Sequence, residues 1–244
     1  MASEWGEELK EGGDRPQTYS SPAIIERRRR ILEETRKVIA EQGIAALSMN
    51  DIGLRAGVAK RTLYNAFQTR ERMVASAIQE YFDEYGSRIA YSSAPGTMLH
   101  NLERMISIVQ RNRKMRNYIR AIMALYFSSD VDHDIWTAMH SPAVHHNRQW
   151  IEVLEAGKQL QPWIVADTLV EDLVRFEYAT INDWAQGRIA DDAVIVRLVS
   201  GYLTSLLGAL KGAARKEVEA LIKDIAERGM EALPAIQPPR AVAA

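Results

Sequence analysis

Three features of the 244-residue sequence predict an all-α protein. Apolar residues recur at helical spacing in nearly every long segment. No segment shows the strict alternation of a half-buried strand. The breaks between segments are turn clusters such as Ser92-Ser93-Ala94-Pro95-Gly96, which end helices and reverse the chain. With 47% hydrophobic and 26% charged residues, the chain has the composition of an ordinary globular protein.

Residues 1–21 are acidic and carry Gly12-Gly13 and Pro16 with little apolar periodicity, so they read as a tail without a packed core. Helix signals begin at Ser21-Pro22, a cap followed by the proline favoured in a first turn. Ile24, Ile31, Thr35, Val38 and Ile39 follow at helical spacing, and Gly43 supplies a stop. Ser48 reads as the N-cap of a short second helix, with Asp51 three residues on. That helix runs to about Arg55 before Gly57. A third spans Ala59 to Phe67, and a fourth starts around Thr69-Arg70-Glu71 and continues through Ile78, Tyr81 and Tyr85. Further helices are expected over 97–111, 114–128, 132–139, 142–158, 164–187, 191–211 and 214–230. The segment from Pro234 reads as loose.

Charge is unevenly spread. Residues 22–72 hold 11 Lys/Arg against 6 Asp/Glu, the first 21 residues hold 2 against 5, and everything after Arg72 holds 18 against 21. A basic module on a slightly acidic body is the footprint of a phosphate-backbone partner. The chain has no cysteine, which excludes disulfides, thiolate metal sites and thiol redox sensing within it. No apolar run suggests a signal peptide or a membrane span, so a cytoplasmic location is expected. Glycine-rich phosphate loops, zinc-protease motifs and nucleophile elbows do not occur, so neither an enzyme nor a cofactor is expected. A helical small-molecule carrier or an enzyme with an incidental basic helix is the rival reading.

The stretch SMNDIGLRAGVAKRTLYNAFQTRERMV, residues 48–74, has helix-turn-helix spacing. Ile52 and Ala56 give the first helix an inner face, Gly57 permits the sharp turn and Val58 plugs the junction. Leu63 and Phe67 form the inner face of the second helix. Its other side carries Lys60, Arg61, Thr62 and Asn65, groups able to approach base edges in a major groove. Ile52, Ala56, Gly57, Val58, Thr62, Leu63, Tyr64, Phe67 and Glu71 together make this segment resemble the TetR-type transcriptional regulators. The resemblance is specific over residues 24–75 and only architectural beyond. Gly53, Arg61 and Arg70 depart from the usual alanine, small residue and lysine.

The resemblance implies an N-terminal three-helix DNA-binding domain, residues 22–72, and a C-terminal helical domain for ligand binding and dimerisation, residues 73–232, with 233–244 as a second tail. It implies phosphate contacts from Ser48, Tyr64 and Arg70, and base contacts from Lys60, Arg61, Thr62 and Asn65. The Arg27–Arg30 run reads as general attraction for DNA. A double-stranded operator, a homodimeric partner and a small-molecule effector are the expected partners.

Two apolar helices carry the dimer expectation. Residues 191–210 are apolar over more than one face, so the helix must be covered from two sides. The expected interface residues are Leu169, Leu173, Phe176 and Trp184 on one helix and Ile195, Leu198, Tyr202 and Leu206 on the next. Methionines and aromatics between these helices and the basic module suit an apolar pocket or a core. The pocket candidates are Met105, Ile108, Tyr118, Met123, Tyr126, Phe127, Trp136 and Trp150. His133, His140, His145 and His146 cluster in sequence, but their spacing matches no standard metal site and none is expected; they read as polar lining of a ligand pocket or as plain surface.

Overall fold

The computed structural model describes residues 21–237; the two outermost segments, 1–20 and 238–244, lie outside it, and most of both expected tails with them. Ten α-helices follow in order: α1 (Pro22–Gln42), α2 (Met49–Ala56), α3 (Lys60–Phe67), α4 (Arg70–Gly86), α5 (Met98–Arg113), α6 (Arg116–Tyr126), α7 (His133–Ala156), α8 (Ala166–Ala185), α9 (Val194–Leu207) and α10 (Gly212–Arg228). Among the described residues the only β pairing is one antiparallel bridge, Leu160 with Leu210.

Local chemistry sets the helix starts. Ser48 accepts a hydrogen bond from the Asp51 N–H at 3.1 Å, Thr69 from Arg72 at 3.1 Å, and Thr97 from His100 at 3.2 Å. Asp51 turns its carboxylate to Arg55 at 3.4 Å, so only half of a capping box forms at α2. Gly57 ends α2 in the left-handed region at φ 62, where its amide reaches the carbonyls of Gly53 and Leu54.

Helices α1–α3 form a small head, and α4 runs from it into the body, packing on both α1 and α7. Its first residues fall before the expected boundary at 72 and the rest beyond it. One hydrophobic core is continuous through it, from Ile31 and Ile52 in the head, by Met73, Ala77 and Ile78, to Leu198 and Val218 in the body.

Two expectations change. The segments 132–139 and 142–158 are a single helix, α7, with Pro142 inside it. Proline has no N–H to offer the carbonyl four residues back and usually ends a helix. Here burial of Ile135, Met139 and His140 on one side of Pro142, and of Ala143, Asn147 and Trp150 on the other, holds both halves in line. The Tyr178 hydroxyl also donates to the Met139 carbonyl at 2.6 Å, tying this turn to α8.

The second change concerns the expected dimer face. Leu173, Trp184, Ile195, Leu198, Tyr202 and Leu206 are at most 2% exposed within the single chain. The breadth of apolar surface on α9 is covered by α5, α8 and α10 of the same subunit. Those six residues are core; only Leu169 and Phe176 of the set remain half-buried. The outer side of the pair carries Thr168, Asp172 and Ala179 on α8 and Ser200, Gly201 and Thr204 on α9.

Candidate nucleic-acid interface and interior cavity

The head builds its outer face by sealing its inner one. Ile52, Ala56, Leu63 and Phe67 are at most 3% exposed, so α3 is locked in rotation about its axis. A Cβ on Gly53 would stand 3.2 Å from the Val58 carbonyl oxygen and 3.3 Å from Leu63 Cδ1. Glycine therefore lets α2 approach α3 closely, a packing reason beyond its effect on helix propensity.

With that side fixed, Lys60, Arg61, Tyr64 and Asn65 are exposed and Thr62 is half-buried. Lys60 Nζ lies 5.6 Å from the centre of the Tyr64 ring. Neither Arg61 nor Asn65 has an ion-pair or side-chain hydrogen-bond partner among the described residues. Ser48 is exposed too; its oxygen accepts from Asp51, which leaves the hydroxyl proton free to donate. Arg70 is exposed and paired with Glu71 at 2.9 Å.

The arginine run is divided. Arg28 stacks over the Phe67 ring at 4.6 Å and reaches Ser76 at 3.3 Å, fastening α1 to the end of α3. Arg29 is held by Glu26 and Glu33. Arg27 and Arg30 are exposed on the first turns of α1. Beyond α3, Arg72 reaches Asp134 at the start of α7, 3.4 Å away, and so links head to body.

In the body, a cavity of about 40 Å³ lies among α4, α5, α6, α7 and α8. One part is apolar, with Phe82, Ile89, Ile119 and Ile181; another is polar, with Arg104, Glu177 and His146. Arg104 and Glu177 are 3% and 1% exposed and make a two-pronged ion pair, 3.1 and 2.8 Å. Asn147 donates to Glu177 at 3.2 Å, and Tyr202 donates to Asn147 at 2.6 Å. Asn101 donates to Tyr202 at 2.9 Å, so the group is a closed network. Burial, with the Arg104 charge adding to it, pushes the His146 imidazole down to about 4, so it is neutral at physiological pH.

Of the expected pocket residues, Ile108 and Met123 line this cavity. Met105 and Tyr118 are fully buried and do not line this cavity, with Tyr118 edge-on to Tyr81 at 5.5 Å. Tyr126 and Trp136 stack with His140, Trp150 is buried, and Phe127 is exposed at the end of α6. Of the cavity's polar end, sequence reasoning offered only the histidines, of which His146 lines the cavity, and it missed the Arg104–Glu177 pair. The pair's signal was a charge in an apolar stripe: Glu177 falls between Leu173 and Ile181 on α8, at four-residue spacing.

The four histidines have separate surroundings. His140 is buried between the Tyr126 hydroxyl at 2.7 Å and Glu171 at 2.8 Å. His146 lines the cavity, while His133 and His145 are exposed. Among the described residues no three His, Asp or Glu side chains are grouped to hold a metal ion. No described helix is long and apolar enough to cross a membrane.

A sealed helix with a polar outer side, set after a left-handed glycine turn, defines a helix-turn-helix DNA-binding protein. Residues 31–77 match the family profile described as bacterial regulatory proteins, tetR family. Over that segment the chain carries the DNA-binding region of the TetR family of transcriptional regulators. It is 23% identical over 147 residues to the HTH-type transcriptional repressor KstR2 of Mycolicibacterium smegmatis, covering 58% of this chain and 69% of that one. It is 36% identical over 92 residues to the repressor KstR of Rhodococcus jostii, 38% of this chain and 42% of that one. A putative TetR-family regulator from Rhodococcus sp. shares the fold with a TM-score of 0.60 at 19% identity, covering 74% of this chain and 99% of the other. A TetR-family regulator from Streptomyces coelicolor does so at 0.58 and 17%, covering 86% and 93%.

Proposed function

We propose that the protein is a cytoplasmic, homodimeric repressor that leaves a palindromic operator when a largely apolar small molecule enters the body. One observation carries the DNA reading: Lys60, Arg61, Tyr64 and Asn65 stand exposed on a helix whose opposite side is sealed by Leu63 and Phe67. In this reading Lys60, Arg61, Thr62 and Asn65 meet base edges, while Ser48, Tyr64 and Arg70 grip phosphates. Arg70 exchanges Glu71 for a phosphate when DNA arrives. The repressor names of the two relatives support repression rather than activation.

The dimer assigned here uses the outer side of α8 and α9, around Leu169, Phe176, Ala179, Ser200 and Thr204. Small residues there let a second copy of the helix pair approach closely, and two heads on a two-fold axis address two half-sites.

Coupling follows from α4. Its Phe82, Tyr85 and Gly86 line the cavity, while its first residue adjoins the reading helix. A cavity of about 40 Å³ holds a few waters at about 10–15 Å³ each, whereas ligand sites span about 300–1,000 Å³. An effector therefore enters only if the walls move, and α4 is one of them. A ligand that favours the opened body shifts the population towards heads set wrongly for DNA.

The test is a comparison of two variants on duplexes selected from a random pool. Arg61→Ala should relax preference at particular base pairs, by about 1–3 kcal/mol. Tyr64→Phe should weaken every sequence alike, by about 1 kcal/mol. Identical behaviour of the two in fluorescence anisotropy would contradict the division into base and phosphate contacts.

A further inference from the structure

A groove of about 720 Å³ lies at the seam between head and body, far larger than the cavity described above. One wall is the flank of α1; the other is the junction of α5 and α6, with Tyr81 and Glu84 of α4 between them. Seven basic side chains line it against two carboxylates, Glu33 and Glu84. Most of the cations are already engaged. Arg36 binds Glu80 at 2.6 Å, Lys37 binds Glu33 and Glu34, and Arg116 binds Asp191 and the Trp184 carbonyl.

Arg111 and Lys114 are different: neither has an acidic partner among the described residues. Arg111 Nε is buried with no hydrogen-bond partner, and so is the hydroxyl of Tyr118, a residue 0% exposed that also lines the groove. Buried polar atoms are nearly always satisfied, so two orphans at one groove mark an incomplete site. Burial pushes the Tyr118 phenol up, which keeps it a proton donor. Helix α6 also begins here, at Arg116, with no side-chain cap on its first turn. Its end adds a partial positive charge to the same place.

We propose that this groove is a second ligand site, which takes a small phosphate-bearing anion between Arg111 and Lys114 with the Tyr118 hydroxyl as a further donor. A duplex is too wide to bring its backbone to a residue as deep as Tyr118, so the source is a free phosphorylated molecule. Because α1 belongs to the head and the α5–α6 junction to the body, an occupant braces one against the other. It acts on head position without entering the apolar cavity.

Calorimetric titration of the full chain with inorganic pyrophosphate, at fixed ionic strength, tests this. Saturable binding of one pyrophosphate per chain is expected. Lys114→Gln and Arg111→Gln should each weaken it roughly tenfold, and Tyr118→Phe a few-fold. Lys114 is exposed, so that variant keeps its fold even where the buried ones lose stability. Arg61→Ala, on the reading helix, should leave pyrophosphate binding unchanged. Absence of saturable binding, or binding lost with Arg61→Ala and kept with Lys114→Gln, overturns the proposal. So does displacement of the pyrophosphate by a short duplex in a Lys114-dependent way, which would make the groove a DNA-backbone contact.

Discussion

Arg61 on α3 is exposed with no ion-pair partner among the described residues, whereas Arg104 on α5 is 3% exposed and gripped by Glu177, 73 residues further along the chain. The same guanidinium thus does two jobs. In the head it is left uncommitted, and water solvates it until a partner from outside arrives. In the body it is desolvated, so its partner has to be built in, with Asn101 and Asn147 completing the hydrogen bonds around the pair. A charge that waits for a ligand and a charge that shapes a core are told apart by what already surrounds them.

The largest effect should come from breaking the inner pair. Glu177→Ala leaves a buried guanidinium without its counter-charge and should destabilise the fold by about 3–5 kcal/mol in urea unfolding. The double change Arg104→Met with Glu177→Leu should recover most of that loss. Removing Arg61 should change stability by no more than about 0.5 kcal/mol. Equal losses from Glu177→Ala and Arg61→Ala would erase the contrast.

The next effect is in pH. His146 has its folded value near 4 and an ordinary value of 6.5, so between these the unfolded chain binds more protons. Stability is therefore complete above about pH 6.5 and falls as pH drops towards 4, by up to about 2 kcal/mol once partial exposure is discounted. Thermal melts of His146→Gln should show that slope flattened.

Ser48→Ala should give a smaller change than either the buried pair or His146. Loss of the cap costs about 1 kcal/mol of stability. Its effect on DNA affinity, read at one salt concentration, sharpens the comparison by separating a structural cap from a phosphate contact. A variant as tight as the parent on every duplex would leave Ser48 with the structural role alone.

The head was legible because its contacts are short in sequence. Ile52, Gly57, Leu63 and Phe67 fall within 16 residues, and spacing alone places them on one inner side. The body was legible only as helices. The apolar breadth of α9 was real, yet it did not say whether a second subunit or α5 and α10 covered it. Ile108 and Met123 reached the cavity while Met105 and Tyr118 did not, because each helix rotates its neighbours into different layers. Arg104 and Glu177 meet only through the tertiary fold. Pro142 misled because a local rule, that proline ends helices, gave way to packing on both sides of it.

That proline has a mechanical consequence. Pro142 has no N–H for the Ala138 carbonyl, so flexing α7 at this point has one backbone hydrogen bond fewer to strain than elsewhere in the helix. Pro142 and Ala143 border the interior cavity, and Ala138 and Ser141 border the groove that α7 shares with α4. A swelling of the interior would find its softest wall there, next to the rod that carries the head.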